Sequence, residues 1–111
     1  MFYKVIYNDK LVPRGFGGIT LAPFIFLKEN KKGNEELLEH EKVHIKQQYK
    51  WLIIPYFFMY KLSKKWRQRW EVEAFKVSVN EGLPITLAAQ WLSTKYNLDL
   101  SYKQAINLLM N

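Results

Sequence analysis

The chain has 111 residues, which suffice for one domain with one hydrophobic core. Hydrophobic residues make up 49% of it and aromatic residues 16%, which excludes an intrinsically disordered chain. Because there is no cysteine, disulfides, a disulfide-linked partner and a thiolate zinc site are also excluded. The net charge of +7 favours association with anionic surfaces, but it identifies no partner.

The N-terminal residues show no basic region followed by a long apolar run, so no secretory signal is predicted. The longest apolar stretch, residues 51–60, is interrupted by Pro55 and is too short to span a bilayer. A cytoplasmic location is therefore expected.

Residues 1–33 are predicted to form a short antiparallel β-sheet. Residues 2–7, 19–22 and 24–27 are rich in β-branched and aromatic side chains, as strands are. The loop between the first two has three glycines in residues 15–18. It lacks the Lys-Ser/Thr ending of a phosphate-binding loop, so a turn or a close backbone approach is predicted there instead.

The rest of the chain is predicted to be helical, which makes the fold α+β and mostly helical, in a single domain of residues 1–111. Asn34 is a typical N-cap for a helix that ends near Lys50, and Ser101 with Gln104 forms a capping box for the last helix. Metal-site helices are expected in residues 34–81 and C-terminal helices in residues 84–111. The helices after the first are predicted at 56–62, starting or kinked at Pro55, at 65–81 and 87–96, and from Ser101 onward.

The strongest functional signal is His-Glu-x-x-His at residues 40–44, which uses both histidines of the chain. Residues four apart lie on one face of a helix, so His40 and His44 can offer two imidazoles to one metal ion. Glu41 lies at the edge of that face, where it can act as a general base on a metal-bound water. A solvated helix face with two histidines is the alternative interpretation. Gln48 continues the face of His44, and an exposed position is slightly favoured over a hydrogen bond near the site.

A catalytic zinc ion with two histidine ligands needs one more protein ligand, and the candidates are Glu71 and Glu73. These residues are two apart, so they point to nearly opposite sides of their helix and only one can bind the metal. Ala74 lies on the side of Glu71 and would let the motif helix approach closely. Glu73 is expected to reach Lys76 or Arg69 in solvent, and a supporting role beside the site is the alternative.

Two further features have competing interpretations. The large apolar residues between Trp51 and Met59 are predicted to be core, with an exposed patch as the alternative. The basic run that follows is interpreted as solvated helix surface rather than as a nucleic-acid or anionic-membrane site. The run contains Lys61, Lys64, Lys65, Arg67 and Arg69.

The chain resembles the gluzincin metallopeptidases, in particular very small minigluzincin-like proteins of bacteria, archaea and phages. The resemblance covers about residues 15–80. It depends on the motif at residues 40–44 with Gln48, and more weakly on residues 17–21 and on Glu71-Val72-Glu73-Ala74. It implies a zincin-type helical core, one zinc ion, Glu71 as its third ligand, and a peptide or protein substrate, and it is compatible with a phage-encoded protein.

The resemblance also implies that the strand before the motif helix lines the substrate cleft, which assigns this role to residues 19–22 or 24–27. Many members have an aspartate, four residues after the ligand glutamate, that supports a ligand histidine. Phe75 stands there in this chain, so a backbone carbonyl or another side chain must serve. In some minimal members the C-terminal segment blocks the site, so residues 84–111 suggest a latent enzyme as one possibility.

The leading hypothesis is a zinc metallopeptidase in which His40, His44 and Glu71 hold the metal and Glu41 is the general base. Tyr56 or Tyr60 is a candidate donor to the oxyanion, although core packing is the favoured role for both. The first alternative is a non-catalytic zinc-binding or scaffolding domain, in which the metal stabilises a small core. The second is a basic module that binds nucleic acid or an anionic membrane. The sequence leaves substrate-binding residues and oligomeric state open.

Overall fold

The structure is a computed structural model that describes residues 2–111, so Met1, the first residue of the predicted domain, lies outside the described part. Residues 2–111 form a three-stranded sheet followed by five helices, which confirms the α+β, mostly helical fold. The elements are β1 (Lys4–Tyr7), β2 (Gly18–Leu21), β3 (Phe24–Leu27), a 3₁₀ turn (Glu29–Lys31), α1 (Glu35–Lys50), α2 (Ile53–Leu62), α3 (Lys64–Asn80), α4 (Ile85–Thr94) and α5 (Tyr102–Met110).

The sheet has the strand order β1-β3-β2 and is mixed, so the prediction of an antiparallel sheet is wrong for β1. β2 pairs antiparallel with β3, but β1 pairs parallel with β3, with Val5 opposite Ile25. A parallel pair needs a long crossover, and residues 8–23, which include β2 itself, supply it. Ile25 and Leu27 of β3 are buried against Ile45 of α1, so the sheet forms a small core with the motif helix.

Most helix ends follow from local signals. The Asn34 side chain accepts a hydrogen bond from the Leu37 amide, and Ser101 and Gln104 form the predicted capping box. α2 begins earlier than predicted, at Ile53, because the first helical turn tolerates Pro55. An N–H at that position would have no hydrogen-bond acceptor within the helix, so proline loses nothing by lacking it. α3 and α4 agree with prediction to within two residues at each end.

α3 lies at the centre of the helical part, because α1 packs on one side of it and α4 and α5 pack on the other. Phe75 of α3 belongs to a buried apolar cluster with α4, α5 and the loops beside them. The C-terminal helices therefore stabilise α3 from the side away from the motif helix. The other members of this cluster are Leu83, Ala88, Ala89, Leu92, Leu98, Ala105 and Leu109.

The apolar stretch of residues 51–59 is only partly core. Tyr56 is buried, but Leu52, Ile54 and Phe58 are 68%, 70% and 64% exposed, so the alternative of an exposed patch is correct for this side of α2. Among residues 2–111, none of the helices combines the length and the apolar character that a membrane crossing requires.

Candidate metal centre

The motif helix α1 presents His40 and His44 one turn apart, and both side chains are buried. Their Nε2 atoms lie 3.3 Å from each other. α3 packs against α1 and directs the buried Glu71 to the same point, where its Oε1 lies 3.3 Å from Nε2 of His44 and 3.7 Å from Nε2 of His40. The structure thus brings together the three residues that were predicted to hold a metal.

The three ligand atoms fit a zinc ion in both geometry and chemistry. Ligand bonds of about 2.0–2.1 Å in a tetrahedral site place neighbouring ligand atoms about 3.3 Å apart, close to the separations of 3.3–3.7 Å observed here. Oε1 of Glu71 is buried and has no hydrogen-bond donor. A buried acceptor without a donor is costly, and a cation between the three atoms would satisfy it.

His40 is oriented by Ser78, one turn beyond the position where many gluzincins have aspartate. Its Nδ1 lies 3.0 Å from Oγ of Ser78, and that hydroxyl is 3.4 Å from the Ala74 carbonyl to which it donates. Phe75 instead packs its ring edge-to-face on the His40 imidazole, with the centroids 4.5 Å apart. A hydroxyl on α3 thus supplies the hydrogen-bond acceptor that Phe75 lacks.

His44 is oriented by Gln47, whose Oε1 lies 2.8 Å from Nδ1 of the imidazole. The Gln47 amide nitrogen donates to the Trp70 carbonyl at 3.0 Å and to Oε1 of Glu73 at 3.1 Å, so the amide oxygen must face His44. His44 therefore carries a proton on Nδ1 and presents Nε2 to Glu71. The expectation that Glu73 pairs with Lys76 or Arg69 is wrong, because its carboxylate supports Gln47.

Tyr60 of α2 positions the Glu71 carboxylate, since its hydroxyl donates to Oε2 of Glu71 and leaves Oε1 for the histidines. Burial alone would raise the pKa of Glu71, but the facing His44, His40 and Tyr60 hold that pKa below its ordinary value. Burial and the adjacent Glu71 raise the pKa of Tyr60 well above its ordinary value, so its hydroxyl stays protonated as a donor. Tyr60 thus has a polar role in the site, beyond the core packing favoured from the sequence.

The two histidines have opposite pKa shifts. Burial, together with the neighbouring His44, lowers the pKa of His40 to about 3. Burial acts in the same direction on His44, but the facing Glu71 carboxylate outweighs it and raises the pKa of His44 to about 9. Without a metal ion, a protonated His44 therefore offsets the buried charge of Glu71 at neutral pH, although its Nε2, 3.3 Å away, is not aligned to donate a hydrogen bond to Oε1.

Glu41 faces the same site and is held by β2. The Thr20 hydroxyl lies 2.7 Å from Oε1 of Glu41 and donates to it. Burial raises the pKa of Glu41, against the opposing effects of His44 and Thr20. Gly18 permits the close approach of β3 to β2 beside this contact, because a Cβ there would lie only 2.5 Å from Cδ2 of Leu27, whereas Cγ of Glu41 would be at an ordinary contact distance of 3.6 Å.

Gln48 is buried, so the slightly favoured prediction of an exposed side chain is wrong. Its amide nitrogen donates to the Thr20 carbonyl at 2.9 Å, and its Oε1 accepts from the Ala22 amide at 2.7 Å. These contacts fix β2 against α1 beside Glu41. They also occupy two backbone groups of the strand region, which are therefore not free to pair with a substrate.

A cavity of about 470 Å³ opens onto the three predicted ligands and Glu41. β2 lines it and β3 does not, so of the two strands considered for the substrate cleft, β2 is the one beside the site. Residues 84–111 contribute only Lys95, Tyr96 and Asn97 to the wall, and α4 and α5 pack on the far side of α3. The C-terminal segment therefore borders the cavity without filling it.

Four residues that organise this site were not identified as such from the sequence: Gln47, Ser78, Thr20 and Arg67. Gln47 is three residues after His44, and Ser78 is seven after Glu71, so helical spacing was the only local signal for them. Arg67 was interpreted as exposed, but it is buried and donates to the carbonyls of Tyr60, Lys61, Tyr96 and Asn97.

No protein-family model, curated protein or solved structure matches this chain. The resemblance to gluzincins therefore depends on the motif residues alone, and what it implies about activity stays a prediction.

Proposed function

We propose that this protein is a zinc-dependent peptidase that hydrolyses peptide bonds, with one zinc ion held by His40, His44 and Glu71. The main support is the convergence of two imidazole Nε2 atoms and one carboxylate oxygen within 3.3–3.7 Å, with no hydrogen-bond donor to that oxygen. Each imidazole has its own orienting partner on Nδ1, as metal-bound histidines do.

Zinc bound there would polarise a substrate carbonyl and lower the pKa of water to about 7. The Glu41 carboxylate takes a proton from the attacking water as the oxygen bonds to the carbonyl carbon, and delivers it to the leaving amine as the C–N bond breaks. The raised pKa of Glu41 suits this role, because a base must also release its proton. Thr20 holds the carboxylate in position.

The open cavity favours an enzyme over the non-catalytic zinc scaffold. A purely structural zinc site is closed by four protein ligands, whereas three converge here and face a space of about 470 Å³. That space is wide enough for part of a peptide, and its aromatic walls suit an apolar side chain. A cytoplasmic peptide or protein is the expected substrate.

The test measures zinc content and peptide hydrolysis in the same samples, with a mixed peptide library analysed by mass spectrometry. Glu41→Gln keeps the shape of the side chain, so we expect one zinc ion per chain but a rate about 100- to 10,000-fold lower. Glu39→Gln is the matched control, because Glu39 lies on the same helix and pairs with Lys42 at the surface. It should keep both zinc and activity.

Three outcomes would overturn the proposal. Purified protein that binds no zinc after supplementation would remove the metal site. Full activity in Glu41→Gln would remove Glu41 as the base. Zinc binding without hydrolysis of any library peptide would support the scaffold in place of the enzyme.

A further inference from the structure

The outer face of α2 is an unpartnered apolar surface. Ile54, Phe58 and Leu62 are 70%, 64% and 79% exposed, and their spacing of four residues places them on one side of the helix. Leu52, which directly precedes the helix, is 68% exposed. We call these four residues the α2 outer face. A cluster of large exposed apolar side chains of this kind marks a surface that binds something.

The inner side of α2 is already occupied by the metal-site region. Tyr56 is buried there, Tyr60 donates to Glu71, and Phe57 lines the cavity. The helix is therefore apolar on both sides, although the protein covers only one of them. A helix of this kind needs a second apolar environment for its other side.

Basic residues flank α2 in the sequence. Between Lys42 and Trp70 the sequence contains no acidic residue. Lys64 pairs with Asp99, but in residues 2–111 no carboxylate oxygen lies within 4 Å of the other exposed cations of this region. The unpaired exposed cations between Lys42 and Trp70 are Lys46, Lys50, Lys61, Lys65 and Arg69.

This combination argues against two other partners. A second copy of the chain would bring the same unpaired cations into contact with each other, which is repulsive. Nucleic acid would match the charges, but it would leave Leu52, Ile54 and Leu62 unused, since aliphatic side chains offer no ring for base stacking. An anionic lipid surface satisfies both features, because acyl chains accept the apolar side chains and phosphate head groups attract the lysines.

We propose that the α2 outer face binds anionic lipid bilayers, with α2 lying in the plane of the interface and its neighbouring lysines among the head groups. The interaction is peripheral, since α2 has ten residues and a spanning helix needs about 20. Binding by this face would place the metal cavity on the far side of one helix from the lipid, at a distance of about 10 Å. Lipid binding does not depend on hydrolysis, so it is tested independently of the proposed peptidase activity.

The experiment is co-sedimentation of the full chain with vesicles of phosphatidylcholine alone or with about one third phosphatidylglycerol. We expect wild-type protein to bind the anionic vesicles and Ile54→Ser/Phe58→Ser to bind them at least about tenfold more weakly. Tyr102→Ser/Met110→Ser is the matched control, because it removes two exposed apolar side chains from α5, and it should bind as wild type does.

A second pair of variants tests the charges. Lys61→Gln/Lys65→Gln should weaken binding to the anionic vesicles by about 30-fold, at roughly 1 kcal/mol per lysine, whereas Lys10→Gln/Lys103→Gln should have a smaller effect. Circular dichroism shows whether each variant folds, and all the substituted residues are exposed.

Unchanged vesicle binding by Ile54→Ser/Phe58→Ser would refute the proposal, as would the absence of wild-type binding. A wild-type dimer that this variant dissociates would identify a second copy as the partner instead. Binding to an oligonucleotide that exceeds vesicle binding and survives the apolar substitutions would identify nucleic acid.

Discussion

Glu71→Gln is the sharpest test of the metal centre, because it changes one oxygen to an amide nitrogen at nearly constant shape. Glu71 is the only carboxylate among the three converging ligands, and it is the buried acceptor that lacks a donor. The amide can still accept from Tyr60 through its oxygen, but it then presents an NH₂ group to His40 and His44. A donor at that point cannot bind a metal ion.

The size of the effect follows from linkage. Zinc at 100 times its dissociation constant stabilises the folded protein by about 2.7 kcal/mol, which corresponds to a rise in Tm of about 10 °C for a chain of this size. Loss of a partner that only orients a ligand costs about 10- to 100-fold in affinity, so loss of the ligand itself should exceed 100-fold. At the same zinc concentration, Glu71→Gln should then gain less than about 0.4 kcal/mol, or about 2 °C.

Differential scanning fluorimetry with and without zinc measures these shifts, and Glu73→Gln is the matched control. Glu73 accepts one of the two hydrogen bonds donated by Gln47, and the bond to the Trp70 carbonyl would remain. We therefore expect at most about a tenfold loss of affinity and a zinc-induced shift of at least about 5 °C. A full shift in Glu71→Gln together with no shift in Glu73→Gln would refute the assignment of the third ligand.

Two further predictions follow from the buried charges. The pKa of His44 is raised to about 9, so the pairing of protonated His44 with Glu71 stabilises the metal-free protein fully below about pH 6.5. This stabilisation is lost as the pH rises through 9. Zinc affinity rises over the same pH range, because zinc must displace the proton on His44. Calorimetry in two buffers near neutral pH should find about one proton released per zinc ion, and no proton release would contradict this. Arg67→Met should lower the free energy of unfolding by about 3 kcal/mol, because the buried guanidinium donates four hydrogen bonds to backbone carbonyls and all four would be lost. Arg69→Met at the surface should change it by less than about 0.5 kcal/mol in urea denaturation. Equal effects of the two arginine variants would refute the structural role of Arg67.

Several features of the protein were predictable because the interactions that produce them are local. The Asn34 cap and the Ser101–Gln104 capping box involve groups within one helical turn, so the sequence marks both helix starts. The spacing of His40 and His44 likewise places their rings on one face of α1 whatever lies against it. The predicted general base, Glu41, follows from the same helix and lines the same cavity.

Tertiary structure decided the features that depend on groups far apart in the sequence. The helical pattern favoured Glu71 over Glu73 through Ala74, but whether Glu71 meets the two histidines depends on the side from which α3 packs against α1. The orienting roles of Ser78 and Gln47, the parallel pairing of β1 and the exposure of the α2 outer face likewise arise from packing between elements. A helical pattern shows which residues share a face, but only the assembled fold determines what that face meets, because burial and charge pairing are properties of neighbours in space.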